Sequence, residues 1–312
     1  MKRPETEITR RQCLAAILGA AAATIAPKVC IGERDGGNLR LAISVETLIG
    51  ANISDARAAY RVWIQQAFRQ VGQSNVEIDP EIFLSSEEMI REVRTGTVDC
   101  FGLNALEFAR VVDLADPDNL ILLSYLADGI DYVLLVHSNS PFKRVDDLRG
   151  AQIATHLNHD MVLLPAWLNT MLSANSLPGA SNFFASLTPY EKLTQVVPPV
   201  FFRRMDGACV ARRNWETAVE LNPQLGRDLR PPAVSPRVIP CGIGLRRGCS
   251  TEAVRRFVDS LLRMSKRPEG QQILALYQAN GFVVRPMSVI KSTLEMVRQY
   301  ERDSAGARKG KP

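Results

Sequence analysis

The sequence predicts an α/β fold arranged as two lobes, and three observations lead to that prediction. From residue 38 onward, strand-like and helix-like segments alternate, as they do in domains built on a largely parallel sheet. The apolar run Tyr132–His137 is typical of a strand buried on both faces. A Pro-rich stretch at 231–240 then leads into another strand, so two chain crossings, near residues 130 and 240, would join the lobes around a cleft.

The remaining elements follow in order along the chain. Further strands are predicted at Leu39–Ser44, Val76–Phe83, Val98–Gly102, Ala151–Ala154, Asp206–Val210 and Val238–Leu245. Helices are predicted at Ser54–Val71, between residues 85 and 96, from Ala105 to about Leu114, from Asp160 to about Leu172, from Thr188 onward, at Thr251–Met264 and at Glu269–Asn280.

Local signals fix several helix ends. Ser85 or Ser86 is a predicted N-cap, and Gly96 is a predicted stop. The segment Thr188-Pro189-Tyr190-Glu191 has the spacing of a capping box, with proline at the first helical position. Asp160 is the expected N-cap of the helix that it opens.

The charge distribution argues against nucleic-acid binding. The formal net charge is +5, but residues 1–30 and 304–312 each carry a net +3, which leaves −1 for residues 31–303. A phosphate backbone would require a basic excess on the body of the protein. We expect the basic stretch 304–312 to be a disordered tail.

The first thirty residues have the layout of an export signal. A charged start precedes an apolar run, Cys13–Ala26, that is shorter than the roughly 20 residues needed to span a membrane. Within these thirty residues, Thr9-Arg10-Arg11-Gln12-Cys13-Leu14 resembles a twin-arginine signal; a general secretory signal is the alternative. Both predict a periplasmic protein that begins after about residue 30.

Four stretches, in this order and spacing, carry a resemblance to a known family. They are Arg94–Asp99; Tyr132–Ser140 with Val145–Gly150; Val197–Phe202; and Asp206–Val210 leading to Glu216–Gln224. Because of these four stretches, the chain resembles the phosphate/phosphite/phosphonate-type solute-binding proteins of ABC transporters over nearly all of residues 38–285. The resemblance implies a type 2 periplasmic-binding fold, with lobe 1 formed by 38–130 plus 241–303 and lobe 2 by 131–240. It also implies a monomer that captures a small solute, without covalent chemistry, and delivers it to a membrane permease.

The resemblance also places candidate ligand-binding residues in the loops at the strand ends. They are Glu46, Thr47, Asn104, Asp131, Tyr132, His156, Asn158, His159, Asp160 and Gln195. The pairs Arg203-Arg204 and Arg212-Arg213 could clamp an acid, but these pairs and Arg246-Arg247 are expected to be solvated strand ends. No cofactor and no metal site are predicted, because the pair His156 and His159 with Asp160 falls short of a convergent ligand set.

One loop departs from the family pattern. Where relatives have a Ser/Thr/Gly-rich turn whose backbone amides hold an oxyanion, this chain has His156-Leu157-Asn158-His159-Asp160. A carboxylate at that position would repel a phosphonate or sulfonate, whereas protonated histidines would attract one. The sequence therefore leaves open whether the solute is anionic, neutral, zwitterionic or cationic.

Two other functions compete with solute import. A periplasmic ligand sensor would use the same cleft with a signalling partner such as a sensor kinase. An enzyme would need an activated nucleophile or an acid/base pair, and the sequence contains no Gly-x-Ser-x-Gly elbow, P-loop or zinc-spaced Cys/His set. Cys100 and Cys209 lie in apolar strands, where a thiol is usually inert. We therefore predict that the chain is not an enzyme.

Overall fold

Two β-sheets organise the chain. The computed structural model describes residues 39–48, 81–249, 252–268 and 278–309, with individual positions between 53 and 65 and between 270 and 274. The predicted export signal lies outside these residues. The described positions between Ile53 and Gln65 are helical, in agreement with a helix there.

The first sheet has six strands in the order β11-β4-β10-β3-β1-β2. Its strands are β1 (Leu41–Ser44), β2 (Glu81–Phe83), β3 (Cys100–Asn104), β4 (Ala115–Leu123), β10 (Cys241–Arg246) and β11 (Phe282–Arg285). β1 runs parallel to β2 and β3, β10 runs antiparallel to β3 and β4, and β11 runs antiparallel to β4. We call the part of the chain built on this sheet the first lobe.

The second sheet has five strands in the order β7-β6-β8-β5-β9. They are β5 (Tyr132–His137), β6 (Gln152–His156), β7 (Ser186–Tyr190), β8 (Gly207–Ala211) and β9 (Leu229–Val234). β6 is parallel to β7 and β8, while β5 is antiparallel to β8 and β9. This part of the chain is the second lobe. The α/β prediction with two lobes is confirmed.

Helices cover the sheets and close the apolar core. They are α1 (Ser86–Thr95), α2 (Ala105–Phe108), α3 (Leu164–Ala174), α4 (Ala180–Phe183), α5 (Val197–Phe201), α6 (Arg212–Leu221), α7 (Pro223–Asp228), α8 (Glu252–Arg263) and α9 (Lys291–Lys309). All of β5 is buried, as its apolar sequence predicts. None of the helices in the described residues is both long enough and apolar enough to cross a bilayer.

The chain passes twice between the lobes, and the two passages are hydrogen-bonded to each other. The backbone amide of Ile130 donates to the Val238 carbonyl at 2.9 Å, and the Val238 amide donates to the Ile130 carbonyl at 2.8 Å. Gly129 precedes this bridge with a φ of 73°, a backbone conformation that favours glycine. The two passages lie beside the crossings that the sequence predicts near residues 130 and 240. The exact boundaries of the two lobes stay a prediction.

The cap signals had opposite outcomes in two places. Ser85 is the N-cap of α1, where its hydroxyl accepts the Glu88 amide, and Gly96 ends the helix with a φ of 77°. Thr188 and Pro189 do not start a helix, since both lie in β7, where Thr188 pairs with Ala154 and Pro189 with Thr155. β7 is an edge strand, and an edge tolerates the amide that proline lacks. That prediction was wrong because pairing with β6 outweighs the local capping pattern.

The predicted disorder from residue 304 was also wrong as far as Lys309. Helix α9 continues through this stretch, and residues 310–312 lie outside the described part of the chain. Alanine, arginine and lysine are good helix formers, so a helix that is already packed extends into them at little cost. α9 packs against α2 in the first lobe and α3 in the second, with Val297 fully buried.

Candidate ligand-binding site

Polar segments that follow strand ends of both sheets meet at one place. The 3-10 turn Val45–Leu48, after β1, contacts the 3-10 turn His159–Met161, after β6. Tyr125, in the 3-10 turn after β4, and Arg213, near the start of α6 after β8, also reach this point. Open α/β sheets bind ligands outside the carboxyl ends of their strands, so this meeting point is the candidate site.

Asp160 is a buried charge at this point, with a relative exposure of 3%. Its Oδ1 accepts a hydrogen bond from the Tyr125 hydroxyl at 2.9 Å, and the His159 Nε2 lies 3.3 Å from the same oxygen. The Arg213 Nη1 lies 3.5 Å from Oδ2. These partners offset the desolvation that burial imposes on a carboxylate.

The expected role of Asp160 as a helix N-cap was wrong. Asp160 lies inside the turn His159–Met161, and neither that turn nor α3 has a side-chain N-cap. The carboxylate is instead directed to Tyr125 and Arg213, which come from distant parts of the sequence. Because its two oxygens face a hydroxyl and a guanidinium, the carboxylate does not serve as the cap of a helix.

Tyr125 links the chain passage to the second lobe. Burial, reinforced by the Asp160 carboxylate, raises the pKa of its phenol far above the ordinary value, so the hydroxyl stays protonated. Because its hydrogen is donated to Asp160, the same hydroxyl accepts from the His159 Nε2, 2.9 Å away. The guanidinium carbon of Arg213 lies 3.9 Å from the centre of the Tyr125 ring, in cation–π contact.

Arg213 also joins the two lobes directly. Its Nη2 donates to the Gln278 side-chain oxygen at 3.2 Å and to the Gln278 carbonyl at 3.4 Å. Gln278 precedes β11 of the first lobe, whereas Arg213 belongs to α6 of the second. One guanidinium therefore contacts a carboxylate, an aromatic ring and the opposite lobe.

His156 is held as a neutral imidazole with a defined tautomer. Its Nε2 lies 3.2 Å from the Glu191 carbonyl, which only accepts, so this nitrogen carries the hydrogen. Its Nδ1 then accepts from the amide nitrogens of Asn158 at 3.1 Å and Asn214 at 3.2 Å. Burial lowers the pKa of His156, which favours the neutral ring.

The first lobe contributes a loop that is anchored on Glu107. The Ser44 hydroxyl at the end of β1 donates to Glu107 Oε1 at 2.5 Å, and the Ser86 hydroxyl donates to the same oxygen at 2.6 Å. Ser44 also holds the next residues in place. Its hydroxyl oxygen accepts a hydrogen bond from the Glu46 backbone amide at 3.2 Å, and its backbone carbonyl accepts one from the Thr47 hydroxyl at 2.7 Å. Glu46 is exposed and Thr47 is half-buried.

The other predicted site residues lie in different surroundings. Asn104 caps α2 in a capping box with Glu107, so the side-chain oxygen of Asn104 already accepts the Glu107 backbone amide. Tyr132 is fully buried, and its hydroxyl donates to the Asp160 carbonyl, which supports the 159–161 turn from behind. Asp131 pairs with Arg212 at 2.5 Å. Gln195 is exposed in the 3-10 turn Leu193–Gln195 rather than on a longer helix.

Sequence reasoning missed Tyr125, Arg213 and Asn214. The expectation that the Arg212-Arg213 pair is a solvated strand end was wrong, since both guanidiniums pair with carboxylates. Arg246 likewise pairs with Asp99 at 2.6 Å. The available signal was position: Arg213 and Asn214 directly follow β8, whose carboxyl end lies beside that of β6.

This group offers hydrogen-bond donors, hydrogen-bond acceptors and charges. Burial, reinforced by Asp160, raises the pKa of the nearby Cys241 thiol to about 12, which keeps that thiol protonated at neutral pH. Among the described residues, no group of three or more His, Cys, Asp and Glu side chains is placed to hold a metal ion.

Comparison with known proteins identifies relatives of this architecture. Residues 56–285 match the family model described as ABC transporter, phosphonate, periplasmic substrate-binding protein. A search among functionally curated proteins gave no significant match.

Several solved structures share the fold at low sequence identity. A binding protein component of an ABC phosphonate transporter from Pseudomonas aeruginosa aligns with a TM-score of 0.56 and 13% identity, over 86% of this chain and 89% of that one. A Xanthomonas citri protein bound to ATP aligns with a TM-score of 0.55 and 18% identity, over 85% and 98% of the two chains. PhnD1 from Prochlorococcus marinus, in complex with methylphosphonate, aligns with a TM-score of 0.55 and 14% identity, over 84% and 98%.

Proposed function

The chain belongs to the family of periplasmic substrate-binding proteins of phosphonate ABC transporters, and on that premise we propose that it captures a small polar solute between its lobes and delivers it to an ABC import permease. Binding in a cleft between two lobes couples occupancy to the shape of the molecule. A permease then has a loaded form to recognise.

One observation carries this proposal: charged and polar groups of both lobes converge where the lobes meet. The Val45–Leu48 turn of the first lobe contacts the His159–Met161 turn of the second, and Arg213 reaches across to Gln278. Contacts of this kind form or break as the lobes rotate about the passages at Ile130 and Val238. A solute placed among them changes the balance between open and closed forms.

The proposed contact residues fall into two groups. The second lobe supplies His156, Asn158, His159 and Asp160, together with Arg213. The first lobe supplies Glu46 and Thr47. For Tyr132, Asp131, Asn104 and Gln195 we propose a supporting role, because their polar groups are occupied by the protein or exposed away from this network.

A ligand screen by thermal unfolding tests the proposal. The full chain would be heated with phosphonates, sulfonates, amino acids, polyamines and nucleosides in turn. A specific solute at about 100 times its dissociation constant adds roughly 2.7 kcal/mol, which is a shift of a few degrees for a chain of this size. Asp160→Asn should reduce the shift produced by that solute. No stabilisation by any compound class would contradict the solute-binding function.

We also propose that the chain is exported through the twin-arginine route, on the strength of Arg10 and Arg11. Replacing both with lysine keeps the charge but removes the paired guanidiniums, so the variant should stay in the cytoplasm. Fractionation of cells that produce each protein measures this. Export of the double variant at the normal yield would mean that the general secretory route is sufficient.

A further inference from the structure

The second chain passage is held by different lobes at its two ends. On the side of the second lobe, the Ser235 amide donates to the Tyr132 carbonyl at 2.9 Å, and the Ser235 hydroxyl oxygen accepts the Tyr132 amide at 2.7 Å. On the side of the first lobe, the Pro240 carbonyl accepts the amide of Ala105, the first residue of α2, at 2.8 Å. In this passage, the bend that lets the lobes rotate therefore lies in the few residues between Ser235 and Pro240.

Helix α9 supplies an anchor on the first-lobe side of this bend. The Ile239 amide donates to the Thr293 hydroxyl oxygen at 2.9 Å, and Thr293 is 1% exposed. A buried amide requires such a partner, so this bond ties the passage to α9. The helix itself follows the 3-10 turn Met287–Ile290, which packs on β4. α9 therefore begins as an element of the first lobe.

The same helix lies against the second lobe. Beside its contact with α2, α9 packs on α3. Leu294 and Val297 of α9 belong to one buried apolar cluster with Trp167 and Leu168 of α3. Close-packed side chains have few alternative arrangements, so a rotation of the second lobe has to slide α3 along α9 or separate the two helices.

We propose that α9 is a strap, which anchors the bend to the first lobe through Thr293 and restrains the second lobe through α3. The structure combines this packing with direct contact between the lobes, at the turns Val45–Leu48 and His159–Met161. Loosening α9 therefore removes stabilisation from the arrangement in which the lobes touch, and the population shifts toward a more open one. The strap goes beyond the proposed solute-binding function, because it acts on the chain without solute.

A pair of buried valines tests the restraint. Val297→Ala removes two methyl groups from the packed face of α9, where Val297 is fully buried. Val93→Ala removes the same groups from α1, where Val93 is 1% exposed and the helix packs on β1 and β2 of the first lobe. Small-angle X-ray scattering of the full chain without solute gives the radius of gyration of each variant. We expect a larger radius than that of the wild-type chain for Val297→Ala alone.

Two results of this comparison would overturn the strap. One is an unchanged radius for a folded Val297→Ala chain. The other is an equal increase in both variants, since this would show a general loosening of the core. Circular dichroism establishes that each variant is folded, and a variant of the anchor decides the matter if Val297→Ala does not fold.

The anchor is tested by Thr293→Val, which keeps the shape of the side chain but removes the oxygen that accepts the Ile239 amide. Hydrogen exchange of that amide should become about tenfold faster, the effect of leaving one buried donor unpaired. The radius of gyration should increase as well. Thr217→Val is the matched control, because Thr217 is exposed and donates to the Arg213 carbonyl of its own helix. It should change neither quantity.

Faster exchange in Thr293→Val at an unchanged radius would mean that Thr293 stabilises the passage without restraining the lobes, which contradicts the proposal. Unchanged exchange would contradict the anchor itself. Both measurements are made without solute, so their failure would leave the proposed function intact. Conversely, a thermal screen without a stabilising compound would remove the proposed function and leave the strap in place.

Discussion

His156 gives the site a pH dependence that a single substitution isolates. Its pKa in the folded chain is lowered by burial, so the unfolded chain takes up the proton first as the pH falls. The stability that the neutral ring contributes is therefore present above the ordinary value of about 6.5 and is lost as the pH falls from there toward the folded pKa.

We predict that His156→Gln weakens the dependence of the free energy of unfolding on pH across this window. Denaturant titrations of the wild-type and variant chains at about pH 7.5 and about pH 5.5, on either side of the ordinary histidine pKa, measure it. The wild-type chain should lose more stability between the two conditions than the variant. Equal losses would show that His156 does not carry the charge change.

At the residue scale, the sequence indicated one loop of the candidate site but not the side chains that contact it. The family resemblance proposed the segment from His156 to Asp160, and in the structure His159 contacts Asp160 and Asn158 contacts His156. The role of this segment in binding stays a prediction. Tyr125 and Arg213 are 35 and 53 residues from Asp160 in sequence, and their contacts follow from the packing of the lobes. A local pattern does not encode such distances.

At the element scale, local signals succeeded where no long-range pairing competed with them. α1 begins after Ser85 and ends at Gly96, because the backbone amides and carbonyls that lack partners at helix ends form hydrogen bonds with groups close in sequence. Thr188 and Pro189 offered a comparable helix-start signal, but the segment pairs with the neighbouring strand β6 and is therefore itself a strand. The ladder with β6 extends over five residue pairs, which outweighs one capping box.

The first passage between the lobes contains a glycine whose replacement should be costly. Gly129 has a φ of 73°, and a Cβ there would lie 3.2 Å from the Val238 carbonyl oxygen. Gly150 has a φ of 75° with nothing within 4 Å of a Cβ. Both Gly→Ala variants carry the left-handed strain of about 1–2 kcal/mol.

We predict that Gly129→Ala destabilises the chain more than Gly150→Ala, since only the first adds a contact with the bridge between Ile130 and Val238. Denaturant unfolding of both variants gives the difference, with Gly150→Ala as the control for backbone strain. Equal destabilisation would mean that the passage adjusts to the added methyl group.

At the scale of the whole molecule, alternation of strands and helices was sufficient to predict two α/β lobes. The apolar β5 and the Pro-rich approach to β10 marked where the chain changes sheet. The sequence could not give the strand order, in which β10 inserts between β3 and β4. That order depends on which edges remain open after the first strands pair, and no local signal records it.

Closure of the two lobes on a solute at the Asp160 site can be measured by small-angle X-ray scattering. The radius of gyration of the full chain would be determined alone and with a saturating concentration of the solute that the thermal screen identifies, with calorimetry confirming occupancy. We expect a smaller radius of gyration for the loaded chain and no change for Asp160→Asn at the same solute concentration. An unchanged radius in a wild-type chain that has bound the solute would show that the lobes do not close on it.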